Sequence, residues 1–211
     1  MNVVFDLDGT LIDSAPIVYR LINQMRSELG ISALASADLL PLLSLGGEAL
    51  ISGAFSETKV NVGETLVSFR ARYADTAIPP DSVYQGVNTV LETLSGWGVR
   101  LSVCTNKPRQ LALASLRQTG LLHYFSKICA GDDLATRKPN AANLQACLPK
   151  NAKGPVFLVG DSMVDQELAS NAGVPFIFYS GGYNEGGCGE LARKSFSSYE
   201  CFPFDEFKVS Y

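Results

Sequence analysis

The sequence predicts an α/β protein: a mainly parallel sheet covered by helices on both faces, with a helical insertion behind the first strand. Three observations predict it. Short runs at Asn2 to Phe5, Leu101 to Thr105, Lys127 to Ala130, Val156 to Val159 and Phe176 to Tyr179 are continuously apolar or β-branched. Continuous rather than alternating hydrophobicity is what strands buried on both faces require. Amphipathic helical stretches separate these runs, which implies right-handed crossovers. From about Ala15 to Pro80 only helical signals occur.

Taken in order, Asn2 to Phe5 is the first strand. Within the insertion, Ile17, Leu21, Met25 and Leu29 recur at i, i+4 and Gly30 ends the helix. Apolar helical runs follow at Leu39 to Leu45, Glu48 to Phe55 and Glu64 to Ala77, and Pro79-Pro80 is a stiff return linker. Val87, Val90, Leu91 and Leu94 form a helical stripe stopped by Gly96; Pro108 opens a helix that Gly120 closes. Val164, Leu168 and Ala172 form another stripe, ended by Gly173. The pattern divides the chain into a core of residues 1–14 and 85–211 and an insertion of residues 15–84. Acidic and apolar stretches around Tyr199 to Phe207 suit packing on the core or on a partner.

Composition narrows the function. With 46% hydrophobic and 18% charged residues among 211, the chain reads as globular rather than disordered. A net charge of −4 without any Lys/Arg run gives little support for binding nucleic acid or anionic lipid. No apolar run approaches the roughly 20 residues of a membrane helix, and the N-terminus reaches Asp6 without a leader pattern. A cytoplasmic setting is expected. The five cysteines lack any CxxC pair, Cys104 and Cys129 fall in apolar runs, and the single histidine, His123, excludes a site built from several His ligands. Nothing resembling a coiled coil bears on oligomeric state.

The chemistry concentrates at strand ends, where open α/β sheets bind ligands. The first strand runs into Asp6-Leu7-Asp8-Gly9-Thr10. Carboxylates at i and i+2 on extended backbone point the same way, and Gly9 permits a turn that other residues resist. At residue frequencies near 5–7%, D-x-D-G-T arises at roughly 1 in 100,000 starting points, so chance does not account for it. Thr105-Asn106-Lys107-Pro108 ends a second strand, where Thr and Asn suit either helix capping or hydrogen bonds to phosphate oxygens. Lys138, before Pro139, suits either solvent or a phosphoryl group. Asp161 and Asp165 follow the strand at Val156, with capping the competing role for Asp161. Together the carboxylates form an oxygen-only site suited to Mg²⁺. No P-loop pattern occurs. The GxGxxA string at Gly187 to Ala192 lies too near the chain end for a dinucleotide unit and reads as part of a Gly-rich loop, Gly181 to Gly189.

In this order, DLDGTLIDSAP, TNKP, GDD…KP, VGDSMVDQELASNAG and GGYN resemble the haloacid dehalogenase superfamily of phosphohydrolases, and are most similar to its phosphoglycolate phosphatase branch. The resemblance spans nearly the whole chain. It implies a three-layer α/β/α Rossmann-like core with residues 15–84 as a helical cap. Asp6 is then the nucleophile that forms an aspartyl-phosphate. Asp8 is the acid and base, a role suited to a carboxyl set among other carboxylates, and its carbonyl meets Mg²⁺. Thr105 and Asn106 hold the phosphoryl group, Lys138 balances charge against Asp6, and Asp161 and Asp165 complete the metal site, the latter directly or through water. The implied partner is a small phosphorylated metabolite, with 2-phosphoglycolate favoured. A phosphomutase of the β-phosphoglucomutase type keeps both aspartates, and a non-catalytic ligand-binding protein on the same fold is the reading from another class. Three stretches depart from the family pattern: Asn140-Ala141-Ala142 stands where Lys-Pro-x-Pro is usual, Met163-Val164 are more apolar than usual in the fourth motif, and Leu45-Gly46-Gly47-Glu48 matches the cap glycines only loosely.

Overall fold

All five apolar runs become strands of one sheet in the computed structural model, which describes residues 1–150, 152, 154–183 and 189–208. The strands are β1 (Asn2–Phe5), β2 (Arg100–Cys104), β3 (Phe125–Cys129), β4 (Val156–Gly160), β5 (Phe176–Tyr179) and β6 (Lys194–Phe196). Their order is β3-β2-β1-β4-β5-β6 and every pairing is parallel. β6 was not expected: its Lys194-Ser195-Phe196 holds two exposed polar residues at the sheet edge and so lacks an apolar run. β3 begins at Phe125, ahead of the apolar signal at Lys127.

Strand periodicity splits the core into two faces. Val3 and Phe5 pack with Val87, Val90, Leu91 and Leu94 of α5 (Val87–Gly96) and Ala112 and Leu116 of α6 (Arg109–Gln118). Val4 faces the other way, toward Leu144 of α7 (Ala141–Ala146) and Leu168 and Ala169 of α8 (Met163–Ala172). The result is the three-layer α/β/α core. Cys104, Cys129 and Cys147 are free and buried on the second face. Val164 is only half-buried, and α8 buries Asp165 and Gln166 instead. The C-terminal aromatics Tyr199, Phe202 and Phe207 pack on the first face, which decides for the core over a partner.

The inserted segment forms helices α1 (Ala15–Glu28), α2 (Ser36–Leu43), α3 (Gly47–Ala54) and α4 (Val62–Ala74). They enclose a cluster of their own, with Ile22, Ile51, Ala54 and Phe55 essentially inaccessible, and Leu111 of α6 is the member drawn from the core. This is the inserted helical cap. Leu29 departs from the expected stripe: it is 54% exposed, because it lies past the last turn of α1 as the C-terminal cap. Arg26 is 1% exposed and donates to the carbonyls of Ser32 (2.6 Å) and Ala54 and to the Glu57 carboxylate. The two linkers between cap and core pair with each other. Asp13 N–H donates to Ser82 O (2.7 Å), Tyr84 N–H to Leu11 O (3.2 Å), and Ile12 bridges Val83 in antiparallel fashion. Among the described residues no helix is long and apolar enough to cross a membrane.

Candidate active site

The strand order reverses between β1 and β4, and ligand sites of doubly wound sheets lie at that switch point, beyond the carboxyl ends. Sheet pairing puts Phe5 beside Val159, and Asp6 N–H extends the ladder to Val159 O at 2.9 Å. Asp6 therefore leaves β1 at the level where Asp161 leaves β4. Backbone approach here is close enough to need glycine. Gly9 has φ +83°, and a Cβ on Gly9 or on Gly182 would collide with the Asp161 side chain.

Asp165 joins them from α8. Ser162 caps that helix, and its Oγ donates to Asp165 Oδ2 at 2.6 Å while Asp165 N–H returns to Ser162. Ser162, not Asp161, is thus the cap. Asp161 accepts from Thr10 Oγ (2.6 Å) and from Tyr183 N–H (2.9 Å). Lys138 enters from the loop before α7 and is buried, so the solvent-facing alternative is excluded. Its Nζ lies 2.7 Å from Asp6 Oδ1 and 2.8 Å from Asp165 Oδ1. Burial pulls the Lys138 ammonium down, but Asp165 and Asp6 outweigh it and hold it above its ordinary value. Thr105 is buried beside the site and accepts from Lys107 N–H at 3.1 Å. Asn106 lines the cavity, yet its amide is committed to the Lys138 backbone: Oδ1 accepts from Lys138 N–H (3.0 Å) and Nδ2 donates to Lys138 O (3.3 Å). Asn106 positions Lys138 in this arrangement.

Ligand oxygens of Asp6, Asp161 and Asp165 all lie within 4.8 Å of one another. The group suits a hard divalent cation on chemical grounds. All three donors are oxygens, all are buried, and one ammonium serves the set. Burial, reinforced by Asp165, holds Asp6 well above the ordinary carboxylate value and pushes Asp161 up to about 7. A cation among them would relieve that strain.

Asp8 lies apart from the three. Its carboxylate meets a cation rather than other carboxylates: Oδ1 accepts from Lys107 Nζ (2.7 Å) and from Ser14 Oγ (2.6 Å). Lys107 also donates to the Tyr73 hydroxyl (2.7 Å) and sits 4.3 Å from the centre of the Tyr73 ring. Burial lowers the Lys107 proton affinity, but Asp8 and then Tyr73 raise it above its ordinary value. Tyr183 closes the group, its hydroxyl accepting from Ser14 N–H at 2.9 Å. Sequence reasoning missed Lys107, Ser14 and Tyr183, although each stands inside a quoted motif. Tyr73 and Arg70 of α4 gave no signal. Of the Gly181 to Gly189 loop, Gly181 to Tyr183 and Gly189 are described; the rest, with Cys188 and the start of the GxGxxA string, lies outside the described residues.

These groups border a cavity of about 110 Å³ between core and cap. Asp6, Asp8, Thr105, Asn106, Lys107, Lys138 and Asp161 form its floor; Val18, Leu43, Leu50, Leu66, Phe69 and Arg70 form its roof. Buried carboxylates and a lysine at a switch point beneath a helical cap define an acidic hydrolase site that can take a phosphoryl group. The chain belongs to the haloacid dehalogenase-like hydrolases, whose family profile matches residues 3–179. A phosphoglycolate phosphatase of Rhodobacter capsulatus is 33% identical over 189 residues, covering 87% of this chain and 85% of that protein. The plasmid phosphoglycolate phosphatase of Cupriavidus necator is 37% identical over 188 residues, covering 86% and 81%. The crystal structure of a predicted phosphoglycolate phosphatase from Haemophilus somnus 129PT shares the fold, with a TM-score of 0.83 at 24% identity over 94% of each chain. The protein is a phosphatase of this family.

Proposed function

We propose that the protein hydrolyses a small phosphomonoester in a Mg²⁺-dependent reaction through an aspartyl-phosphate at Asp6, with 2-phosphoglycolate the favoured substrate. The observation that carries this reading is the buried Asp6, Asp161 and Asp165 group around Lys138 at the floor of a capped cavity. The substrate choice is supported by the names of the relatives above. Residues 1–14 and 85–211 are the catalytic core and residues 15–84 the cap; the separate apolar cluster of α1 to α4 supports that division. A cytoplasmic setting agrees with the free, buried thiols.

In the first half-reaction an Asp6 carboxylate oxygen attacks phosphorus and the bond to the leaving alkoxide breaks. Asp8 gives its proton to that oxygen. In the second, Asp8 takes a proton from water, whose oxygen attacks phosphorus and releases phosphate and free Asp6. Lys107 and Ser14 both hold Asp8 by Oδ1, which leaves Oδ2 without a protein partner among the described residues and available for the proton transfer. Lys138 neutralises charge beside the nucleophile, and Thr105 offers its hydroxyl to the phosphoryl oxygens. Mg²⁺ would be held by Asp6, Asp161, Asp165 and the Asp8 carbonyl, and when bound it supplies charge neutralisation at the phosphoryl group. The cap excludes water from the first half-reaction, with the paired linkers as its hinges.

Phosphate release from a panel of phosphomonoesters that includes 2-phosphoglycolate, measured with Mg²⁺ and with EDTA, tests the reading. Release that needs Mg²⁺ and favours 2-phosphoglycolate is expected. Equal release in EDTA overturns the metal, and preference for another ester overturns the substrate.

A further inference from the structure

Three cations border the cavity: Lys138, Lys107 and Arg70. Two are matched by the protein itself, Lys138 by Asp6 and Asp165 and Lys107 by Asp8. Arg70, half-buried on α4, has neither an ion pair nor a hydrogen bond among the described residues. Its situation differs from that of Arg72, two positions along the helix, which holds Glu28 with Nη1 and Nη2 at 2.7 Å each. Arg70 lies against the start of α3, its Nη2 3.5 Å from where a Gly47 Cβ would stand. On the same cavity wall, Ser44 Oγ is buried without a hydrogen-bond partner among the described residues. A partly desolvated guanidinium and a buried hydroxyl that both lack partners are donors waiting for an acceptor.

The acceptor's charge follows. Guanidinium forks match a planar carboxylate in bidentate fashion. The floor is already crowded with carboxylates, so a second anionic group of the ligand is best held at the roof, away from Asp6, Asp8 and Asp161. With the phosphoryl group on the floor, a carboxylate carried by the leaving group faces Arg70 across the same cavity.

We propose that Arg70, with the Ser44 hydroxyl on the same cavity wall, is the specificity-determining anchor for a carboxylate on the substrate's leaving group, so that the preferred substrates are phosphorylated hydroxy acids. The proposal rests on the phosphomonoesterase reading of the same site and adds the group that chooses the ester. Its test compares kcat/KM for 2-phosphoglycolate with that for ethyl phosphate, which matches its chain length and lacks the carboxylate. The parent chain should favour 2-phosphoglycolate. Arg70→Met should reduce that preference about 10- to 100-fold, mainly through KM for the acid. Arg70→Lys should restore part of it, because charge returns without the fork. Ser44→Ala should reduce it by a smaller factor. An unchanged preference in Arg70→Met, or the same proportional loss on both esters, overturns the proposal, and Arg70→Lys provides the same comparison should the methionine variant fail to fold. Hydrolysis of ethyl phosphate as fast as of the acid by the parent chain overturns the carboxylate while leaving the phosphatase reading intact. Release from neither ester overturns both.

Discussion

The floor of the cavity carries three carboxylates and two lysines, whereas its roof offers Val18, Leu43, Leu50, Leu66 and Phe69 around one charged group, Arg70. The two sides also differ in how their residues are fixed. Asp6 and Asp161 are set by the register of β1 and β4, and Asp165 by a capping box at the start of α8. Backbone hydrogen bonds between parallel strands leave those positions little freedom. The roof residues are placed by side-chain packing among four short helices that meet the core chiefly through Leu111. Chemistry thus sits where the backbone is over-determined, and substrate choice sits where packing can vary without disturbing it.

The sharpest way to break this contrast is Asp6→Asn. Without a nucleophilic carboxylate, phosphate release should fall by about 10³-fold or more. Stability should not fall with it. A carboxyl whose proton affinity is raised by folding costs the folded state stability at pH values above its ordinary range, and the amide removes that cost while Lys138 keeps Asp165. In metal-free buffer at pH 7 the variant should therefore melt no lower than the parent. A marked drop in its melting temperature, measured by circular dichroism, would show that the floor is held together by the Asp6 ion pair instead of by the sheet.

Lys107 is the joint between the two sides, since one ammonium contacts Asp8 on the floor and Tyr73 on the roof. Lys107→Met should lower kcat about 10- to 100-fold, the range for losing a charged hydrogen bond. Tyr73→Phe, which keeps the ring beside the ammonium and removes only the hydroxyl contact, should cost a few-fold at most. Stopped-flow or steady-state phosphate release on the same ester distinguishes them. Equal losses in the two variants would mean that the cap, not Asp8, is what Lys107 serves.

The floor was legible in the sequence and the roof was not, for a physical reason. Asp6, Asp8, Thr105 and Asp161 follow apolar runs, so a strand boundary and a polar residue together announce a strand tip, while Lys138 before α7 and Asp165 in α8 stood out within their motifs. The cap helices could be read as helices from their apolar spacing, but which residue looks into the cavity depends on how α4 rotates against α3, and no local pattern encodes that. Arg70 and Tyr73 were invisible for this reason. Lys107 was hidden by its neighbours, because Thr105 and Asn106 already explained the motif. Asn106 has a contact that its position did not announce: its amide brackets Lys138, 32 positions away along the chain. β6 escaped because an edge strand of three residues with polar side chains has no hydrophobic signature.

Arg26 tests whether the roof stands apart from the floor at all. An arginine in the last turn of α1 reads from sequence as a solvated charge favourable at a helix C-terminus. Instead it is buried and ties α1 to the chain before α2 through Ser32, to the end of α3 through Ala54 and to the chain after α3 through Glu57. Arg26→Met keeps most of the volume but leaves two carbonyls without their donor, which should cost the cap about 2–4 kcal/mol. Arg26 touches neither the cavity nor any group on its floor, so turnover at room temperature should stay within about twofold of the parent. Hydrogen exchange separates the two effects. Amides of α1 to α4 should lose protection while those of β1, β2 and β4 keep theirs, and Arg72→Ala, which removes an exposed pair between α4 and α1, should change neither. Loss of protection shared evenly by cap and sheet would mean that the two sides of the cavity unfold as one unit, and the independence argued for substrate choice would fall with it.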